Sequence, residues 1–170
     1  KKRNGIILAK NEIAKKCGVK TGEAIWQAKR KCPDLVCVPP HFEYYVHYSK
    51  KVRAIYEQYT DKVEGFGLDE CWLDVTDSKV FGTPFEIAEK IRNQVREETG
   101  LTISVGVSFT KPFAKLGSDL KKPDATTVIS LDNYQTKVWT LPVQDMIFIG
   151  KQMQTRLNRM GIFNLGQLAK

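Results

Sequence analysis

Residues 65–74 read GFGLDECWLD and decide how this chain folds. On either side of two acidic residues, apolar side chains predict a pair of strands over Lys62–Leu68 and Cys71–Thr76. Two strands with so short a connection are typical of a hairpin. The stretch therefore predicts two adjacent carboxylates, Asp69 and Glu70, at the junction of the strands.

The paired acids are candidates for metal binding, because Mg²⁺ prefers carboxylate oxygens combined with phosphates and water. Neighbours on a regular strand point to opposite faces, so a turn or bulge is needed to bring Asp69 and Glu70 to one ion. Gly65 and Gly67 make such a distortion inexpensive. The alternative is a plain polar turn, where acids are common. Asp74, on the same strand face as Glu70, is interpreted as a surface acid or cap.

The next elements downstream have clear end signals. Thr83, Pro84 and Glu86 combine an N-cap, a first-turn proline and a capping-box acid, which predicts a helix running to Gly100. Its predicted buried stripe is Ile87, Ile91 and Val95. Leu101–Val107 then alternates with period two, which predicts a half-buried strand.

Upstream of the hairpin, the pattern predicts three helices and a strand. A lysine-rich first helix is expected to stop at Gly18, and Thr21 to cap a second that ends before Pro33. Leu35–Val38 is predicted to be a strand that Pro39 terminates. Apolar residues at three- and four-residue steps predict an amphipathic helix over about 41–59. The residues expected to face the core on that helix are Tyr44, Tyr45, Tyr48, Val52, Ile55, Tyr56 and Tyr59.

Together these elements predict an α+β fold. The order helix, strand, strand, helix, strand is that of a ferredoxin-like unit whose first strand is missing, so we expect the chain to be a fragment of a longer protein. A short helix over Pro112–Leu120, a strand over Thr126–Ile129 and helices from Leu131 onward are predicted to follow.

Composition excludes several protein classes. The chain has 170 residues, of which 42% are hydrophobic and 27% charged, as in globular proteins. No apolar run approaches the roughly 20 residues that cross a bilayer, and no signal peptide opens the chain. We therefore expect a cytoplasmic protein without a membrane partner.

Charge and cysteine usage narrow the function further. The net charge of +8 favours a polyanionic partner, with nucleic acid as the leading candidate. No CxxC pair occurs, and His41 and His47 are poorly spaced for a shared metal, so a zinc finger is not expected. The cysteines are interpreted as reduced thiols, mostly small buried groups: Cys17, Cys32, Cys37 and Cys71.

A second stretch, residues 104–124, runs from a strand into a lysine-rich helix. Lys111, Lys115 and Lys122 place ammonium groups near the mouth of the predicted sheet, where they suit a triphosphate or a DNA backbone. The alternative is a solvated lysine face.

These blocks resemble the Y-family translesion DNA polymerases of the DinB/UmuC type, also called the ImpB/MucB/SamB family. The matching segments are residues 28–36 (AKRKCPDLV) with Val38-Pro39-Pro40, residues 68–76 (LDECWLDVT), and residues 104–107 (SVGV) through Lys122-Pro123-Asp124. The resemblance covers nearly the whole chain in the family's order.

The resemblance implies nucleotidyl transfer with two Mg²⁺ ions, in which a primer 3′-hydroxyl attacks the α-phosphate of a dNTP. Asp69 resembles the palm aspartate that ligates metal, and Glu70 the adjoining carboxylate near the primer end. Lys122 resembles the lysine that contacts the triphosphate. Lys15 falls where relatives place a triphosphate-binding arginine, but it lacks the bidentate fork. Glu12 stands where relatives often carry a phosphate-binding tyrosine, and an acid there repels phosphate.

The resemblance also implies DNA contacts and subdomains. Phe148-Ile149-Gly150, together with Gly161-Ile162, resembles the thumb's helix-hairpin-helix, whose loop offers backbone amides to DNA phosphate, although Phe148 replaces its first glycine. The implied DNA-binding residues are Lys111, Lys115, Ile149, Gly150 and Lys151. Alternatively, this segment is an ordinary helical hairpin. Residues 1–40 correspond to fingers, 41–130 to an incomplete palm, and 131–170 to part of a thumb.

The family pattern places a further metal-bridging aspartate upstream of Lys1 and a DNA-gripping domain after Lys170. We therefore expect the full-length parent to polymerise DNA in damage bypass and repair, with a sliding clamp as a partner through regions outside this chain, and this fragment alone to be inactive. The alternative is a non-enzymatic nucleic-acid-binding module of ferredoxin-like fold. A nucleotide cyclase, which also presents paired acids, fits the lysines poorly.

Overall fold

The computed structural model describes residues 5–170, which form two compact units. The first unit ends at His41, and the second comprises Phe42–Lys170. Among the described residues, no helix has both the length and the apolar character needed to cross a membrane.

The first unit contains helices α1, Glu12–Lys16, and α2, Ile25–Lys31. Asn11 caps α1, because its side chain accepts a hydrogen bond from the Ala14 amide. Gly18 follows α1 with φ 81°, the left-handed conformation expected of a helix stop. The buried residues that form the core of this unit are Ile7, Ala14, Val19 and Ala28.

Two predictions for the first unit are wrong. Thr21 does not cap α2; the N-cap is Ala24, and the Thr21 hydroxyl instead accepts a hydrogen bond from Lys10 at 3.1 Å. Leu35–Val38 is not a strand, and Val36 and Val38 are largely exposed. A strand needs a partner for its backbone groups, and none of the described segments pairs with this one.

The second unit begins with helix α3, Phe42–Tyr56, followed by strands β1, Val63–Phe66, and β2, Glu70–Leu73. Helix α4, Pro84–Thr99, then packs beside α3. The predicted capping box at its start and the glycine stop at its end, with φ 71°, are both confirmed. The predicted stripe is buried in a shared core made of Ile55, Tyr56, Ile87, Ile91 and Val95.

Helix α3 differs from its prediction along half its length. Ile55 and Tyr56 are buried, but Tyr44, Tyr45 and Tyr48 are exposed. Only the C-terminal part of α3 contributes buried residues to the core shared with α4, so the amphipathic pattern identified the helix without identifying what covers each turn.

The next three elements form a tight parallel unit. Strand β3, Val105–Ser108, pairs in parallel with β4, Thr126–Ile129, and helix α5, Lys111–Leu120, crosses between them. Gly106 lets α5 lie directly on β3, since a Cβ built there would come 1.8 Å from the Ala114 carbonyl oxygen. The strand predicted over Leu101–Val107 is therefore shorter and shifted, because only the segment opposite β4 finds a hydrogen-bonded partner.

The C-terminal part of this unit is helical. It contains α6, Tyr134–Val138; α7, Lys151–Arg159; and α8, Leu165–Leu168. The second core of the unit is formed by Leu116, Ile129, Val138, Val143, Leu157 and Leu165.

The α+β class is confirmed, with one qualification about the sheet. Strands β1 and β2 form one two-stranded sheet, and β3 and β4 form another; between residues 5 and 170 no ladder joins them. The four cysteines are free, as predicted, but Cys17 and Cys37 are exposed rather than buried. The expectation of mostly buried thiols is therefore wrong.

Candidate active site

The turn between β1 and β2 places the two candidate acids. Phe66 pairs with Glu70, so the connection comprises Gly67, Leu68 and Asp69. Gly67 adopts φ 84°, which favours glycine over any residue with a Cβ. The connection is thus longer than the Asp69-Glu70 pair predicted from sequence. Asp69 ends the turn, and Glu70 begins β2.

The two faces of the hairpin have different surroundings. Cys71 and Leu73 pack against the core formed with α3 and α4. Alternation places Glu70 and Trp72 on the opposite face. There the Trp72 ring lies 4.9 Å from the Phe66 ring. Glu70 therefore projects from the face that does not pack on α3 and α4.

Helix α3 supports the turn from the core side. The Ser49 hydroxyl donates a hydrogen bond to the Leu68 carbonyl, next to Asp69. The Arg53 guanidinium lies over Gly65, where an added Cβ would come 2.0 Å from its Nη2 atom. A side chain at position 65 would therefore displace the Arg53 guanidinium from its place on the strand.

Asp69 is exposed, and across residues 5–170 no hydrogen bond or ion pair engages its carboxylate. The charge of Asp69 influences the pKa of Tyr56. Burial raises this pKa most, and the neighbouring Cys71 and Asp69 raise it further. Asp69 is thus available to a ligand without losing an existing contact.

Glu70, in contrast, belongs to a line of alternating charges. Its Oε1 lies 3.1 Å from Lys115 Nζ, Lys115 Nζ lies 2.5 Å from Asp119 Oδ2, and Asp119 Oδ1 lies 2.7 Å from Lys122 Nζ. We refer to these four residues as the charge row. The charge row connects the candidate acid on the hairpin with the candidate triphosphate lysine at the end of α5.

The charge row changes the pKa values of its two middle residues. Burial disfavours the charged form of Lys115, but hydrogen bonds to Asp119 and Glu70 outweigh burial and raise the pKa of the ammonium group. Burial likewise opposes ionisation of Asp119, yet hydrogen bonds from Lys115 and Lys122 lower its pKa below the usual value. Both residues are therefore charged at neutral pH.

Lys111, one turn before Lys115, is engaged elsewhere. It forms an ion pair with Glu64 on β1, and its Nζ lies 5.6 Å from the centroid of the Trp72 ring. The Trp72 indole N–H donates to the Lys111 carbonyl at 3.1 Å. These contacts fix the first turn of α5 against the outer face of the hairpin.

A second ionic group lies just past Lys122. Arg92 of α4 donates to the Asp124 carbonyl at 2.7 Å and to its carboxylate at 3.0 Å, and it also contacts Glu89 at 2.5 Å. Arg96 reaches the other Asp124 oxygen at 2.7 Å. We refer to Glu89, Arg92, Arg96 and Asp124 as the arginine cluster. Sequence reasoning missed this cluster, and the only local signal is Asp124 itself, an acid able to adopt its φ of 52°.

The remaining predicted residues lie in two other places. Glu12 and Lys15 belong to the first unit, where they form an exposed ion pair at 3.4 Å. Phe148 has φ 69°, the conformation in which glycine is favoured, and is 82% exposed. Its ring meets Phe66 edge-on at 6.3 Å. Gly150 is the N-cap of α7 and Lys151 its first residue. The predicted DNA contact of this loop stays a prediction.

The acids at the turn carry the hard carboxylate oxygens that a divalent cation such as Mg²⁺ prefers. Between residues 5 and 170, no group of three or more His, Cys, Asp or Glu side chains converges as a complete site. Asp69 nevertheless presents oxygens that no other described residue engages, and a second carboxylate, Glu70, follows it directly. Mg²⁺ is commonly held by one or two carboxylates plus substrate phosphates. The residues present therefore fit a cation that arrives with a phosphate ligand.

Comparison with known proteins identifies relatives along the whole chain. The sequence model described as the impB/mucB/samB family matches residues 1–119. The DNA polymerase IV of Acetivibrio thermocellus is 54% identical over 168 residues, which covers 98% of this chain and 42% of the relative. The chain thus spans less than half the length of this curated relative.

Solved structures also match this chain over nearly its whole length. A Y-family DNA polymerase chimera matches with a TM-score of 0.88 and 32% identity, covering 100% of this chain and 50% of its own. An insertion ternary complex of the Dbh DNA polymerase matches with a TM-score of 0.84 and 34% identity, covering 94% of this chain and 47% of its own.

Proposed function

Because this chain belongs to the impB/mucB/samB family, as its resemblance to Y-family polymerases indicated, we propose that it is part of a translesion DNA polymerase. The proposed activity is template-directed nucleotidyl transfer from a dNTP to a primer 3′-hydroxyl during damage bypass and repair. A relative named DNA polymerase IV and a structural neighbour solved as an insertion ternary complex support primer–template DNA and dNTP as substrates.

The observation that carries the proposal is the turn at Asp69. Its carboxylate is exposed and unengaged within the described chain, it precedes Glu70 directly, and the charge row leads from Glu70 to Lys122. Acidic oxygens and ammonium groups on one surface match a magnesium triphosphate, which carries both signs of charge.

We assign Asp69 and Glu70 as the catalytic and metal-binding acids. Two bound Mg²⁺ ions would neutralise triphosphate charge and favour the ionised primer hydroxyl. Asp69 can bind a metal ion directly, because no other residue between 5 and 170 engages its carboxylate. Glu70 first exchanges its contact with Lys115, which its partly exposed position permits. The Lys122 ammonium holds the triphosphate as a point charge.

The first unit contributes a second cation in this proposal. Residues 1–40 act as fingers, and Lys15 contacts the triphosphate. Glu12 pairs with Lys15 and also lies in the first turn of α1, where an acid is favoured by the helix dipole. Glu12 therefore has a structural reason to be present that does not require it to touch phosphate.

The rest of the chain contacts DNA in this proposal. Residues 41–130 form palm and 131–170 part of a thumb. The Ile149 amide already donates to the Met146 carbonyl at 3.1 Å, so the groups offered to a DNA phosphate are the backbone amides at the start of α7, from Gly150 onward, and the Lys151 ammonium. Lys111 and Lys115 bind DNA only by exchanging their contacts with Glu64 and Glu70.

Asp69→Asn and Glu70→Gln test the proposal in the natural full-length protein that carries this chain. Each change keeps the size of the side chain and removes the charge, so Mg²⁺-dependent primer extension should fall on the order of a hundredfold or more. Asp61→Asn, at an exposed acid just before β1, is the matched control and should extend primers normally.

Full primer extension by both variants would refute the assignment. If the protein binds DNA with strong salt dependence, is indifferent to both acids and extends no primer, the non-enzymatic nucleic-acid-binding module is the better description.

A further inference from the structure

The middle of the charge row is an acid shared by two lysines. Both oxygens of Asp119 are used: Oδ2 contacts Lys115, and Oδ1 contacts Lys122. Lys115 is itself shared, because Glu70 lies on its other side. Because each middle residue is shared, the loss of one ion pair in the charge row changes the strength of the neighbouring ion pair.

Helix geometry keeps Asp119 between its partners. Lys115 and Asp119 are four residues apart on α5, a spacing that places them on one face of the helix. The side chain of Lys115 is only 19% exposed, whereas that of Lys122 is 56% exposed. Of the two contacts to Asp119, the one from Lys122 is the more easily exchanged for an incoming anion.

We infer that Asp119 is a positioning residue that couples two events: the transfer of Lys122 from Asp119 to the triphosphate, and the release of Glu70 from Lys115 for catalysis. The inference rests on the proposed function of Lys122 and Glu70. A triphosphate that takes Lys122 from Asp119 leaves this acid with Lys115 alone. Lys115 then moves its interaction toward Asp119, and its hold on Glu70 weakens.

The inference predicts opposite effects from one substitution. In Asp119→Asn, Lys122 has no competing acid and binds triphosphate more tightly, about twofold to fivefold, as expected for one partly exposed ion pair. Lys115 is then left with Glu70 as its remaining acid in the charge row, so Glu70 is released less readily and turnover falls. Asp119→Glu keeps the charge and should restore both properties toward the original values.

Binding of inorganic triphosphate to the 170-residue chain, in EDTA and at low salt, gives a readout that needs no catalysis. Titration followed by NMR should show tighter binding for Asp119→Asn and weaker binding for Lys122→Gln. In the double variant the gain should disappear, because Asp119 acts through Lys122. Glu64→Gln, which breaks an ion pair to α5 outside the charge row, is the control and should bind as the original chain does.

Equal affinity of Asp119→Asn and the original chain, or a gain that persists in the double variant, would overturn the inference. The unaltered chain gives an independent check: added triphosphate should shift the side-chain carboxyl ¹³C signals of both Asp119 and Glu70. A shift at Asp119 with none at Glu70 would contradict the coupling.

Kinetics of the full-length protein complete the test. Asp119→Asn should lower both KM for dNTP and kcat, whereas a purely structural role would lower the unfolding temperature and leave KM unchanged or raised. Failure of the underlying function has another signature. The original protein would then incorporate no nucleotide with Mg²⁺, and the unaltered chain would show no saturable triphosphate binding.

Discussion

The arginine cluster and the charge row lie on either side of the same short loop, yet they differ in burial and in the number of contacts. Arg92 is 11% exposed and contacts Asp124 through both backbone and side chain. Lys122 is more than half exposed, and among residues 5–170 it forms an ion pair with Asp119 alone. A buried, multiply bonded ion pair is costly to break, but an exposed single contact is readily exchanged. The comparison separates ionic contacts that hold the loop from ionic contacts that a ligand can replace.

The largest effect is expected from breaking the arginine cluster. Arg92→Ala leaves Asp124 and Glu89 without their shared partner and should lower the free energy of unfolding by about 3 kcal/mol. Urea unfolding measures the change. Arg92→Lys keeps the positive charge but lacks the guanidinium group that makes two parallel hydrogen bonds, so its free energy of unfolding should lie between those of the original protein and Arg92→Ala. A loss below about 0.5 kcal/mol for Arg92→Ala would show that burial does not distinguish the two groups.

A smaller effect is expected on the other side of the loop. Lys122→Gln removes one exposed contact, so the free energy of unfolding should change by no more than about 0.5 kcal/mol. KM for dNTP in the full-length protein should nevertheless rise about tenfold, because a charge-assisted contact to phosphate is lost. Loss of stability comparable with that of Arg92→Ala would place Lys122 in the scaffold instead.

The smallest effect is a difference in pH dependence. A hydrogen bond from Thr126, opposed by burial and aided by Arg92, lowers the pKa of Glu89 below its ordinary value of 4.5. The unfolded carboxyl therefore takes up a proton at a higher pH than the folded one. Its stabilising contribution is complete above about pH 4.5 and is lost as pH falls through the lower folded pKa.

Unfolding free energies measured from pH 6 to pH 3 test this contribution. The original chain should lose stability more steeply than Glu89→Gln below pH 4.5, since the glutamine cannot titrate. Parallel curves for the two proteins would contradict a folded-state pKa of Glu89 that is lowered by Thr126 and Arg92.

Local signals in the sequence predicted those features that depend on neighbouring residues. The capping box at Thr83, the stop at Gly100 and the buried stripe of α4 are encoded within one helix. The position of Asp69 and Glu70 at a strand junction was also predictable, because the turn follows from Gly67 and the flanking apolar residues. The roles of these acids in catalysis stay predictions.

Features that depend on distant partners were not predictable in the same way. Arg92 and Asp124 are 32 residues apart, and nothing in either segment indicates the other. The exposed tyrosines of α3 and the absent strand at Leu35–Val38 have the same cause, since periodicity shows which residues share a face and not what lies opposite. The charge row depends partly on local signals and partly on distant partners. Its lysines were predicted from the sequence of α5, but their ion pairs with Glu70 and Asp119 were not.

The contact of α5 with β3 sets a limit on how the charge row can vary. Gly106 meets the α5 backbone, and a Cβ built on Gly117 would lie 3.2 Å from the Gly106 Cα, so two residues without side chains allow the close approach of helix and strand. A methyl group at Gly106 would come 1.8 Å from the Ala114 carbonyl oxygen, so α5 would move outward and carry Lys115 away from the hairpin, whereas one at Gly117 would require a much smaller shift. The distance between the Lys115 ammonium group and the Glu70 carboxylate therefore depends on Gly106 and Gly117, two uncharged residues that have a hydrogen atom where other residues have Cβ.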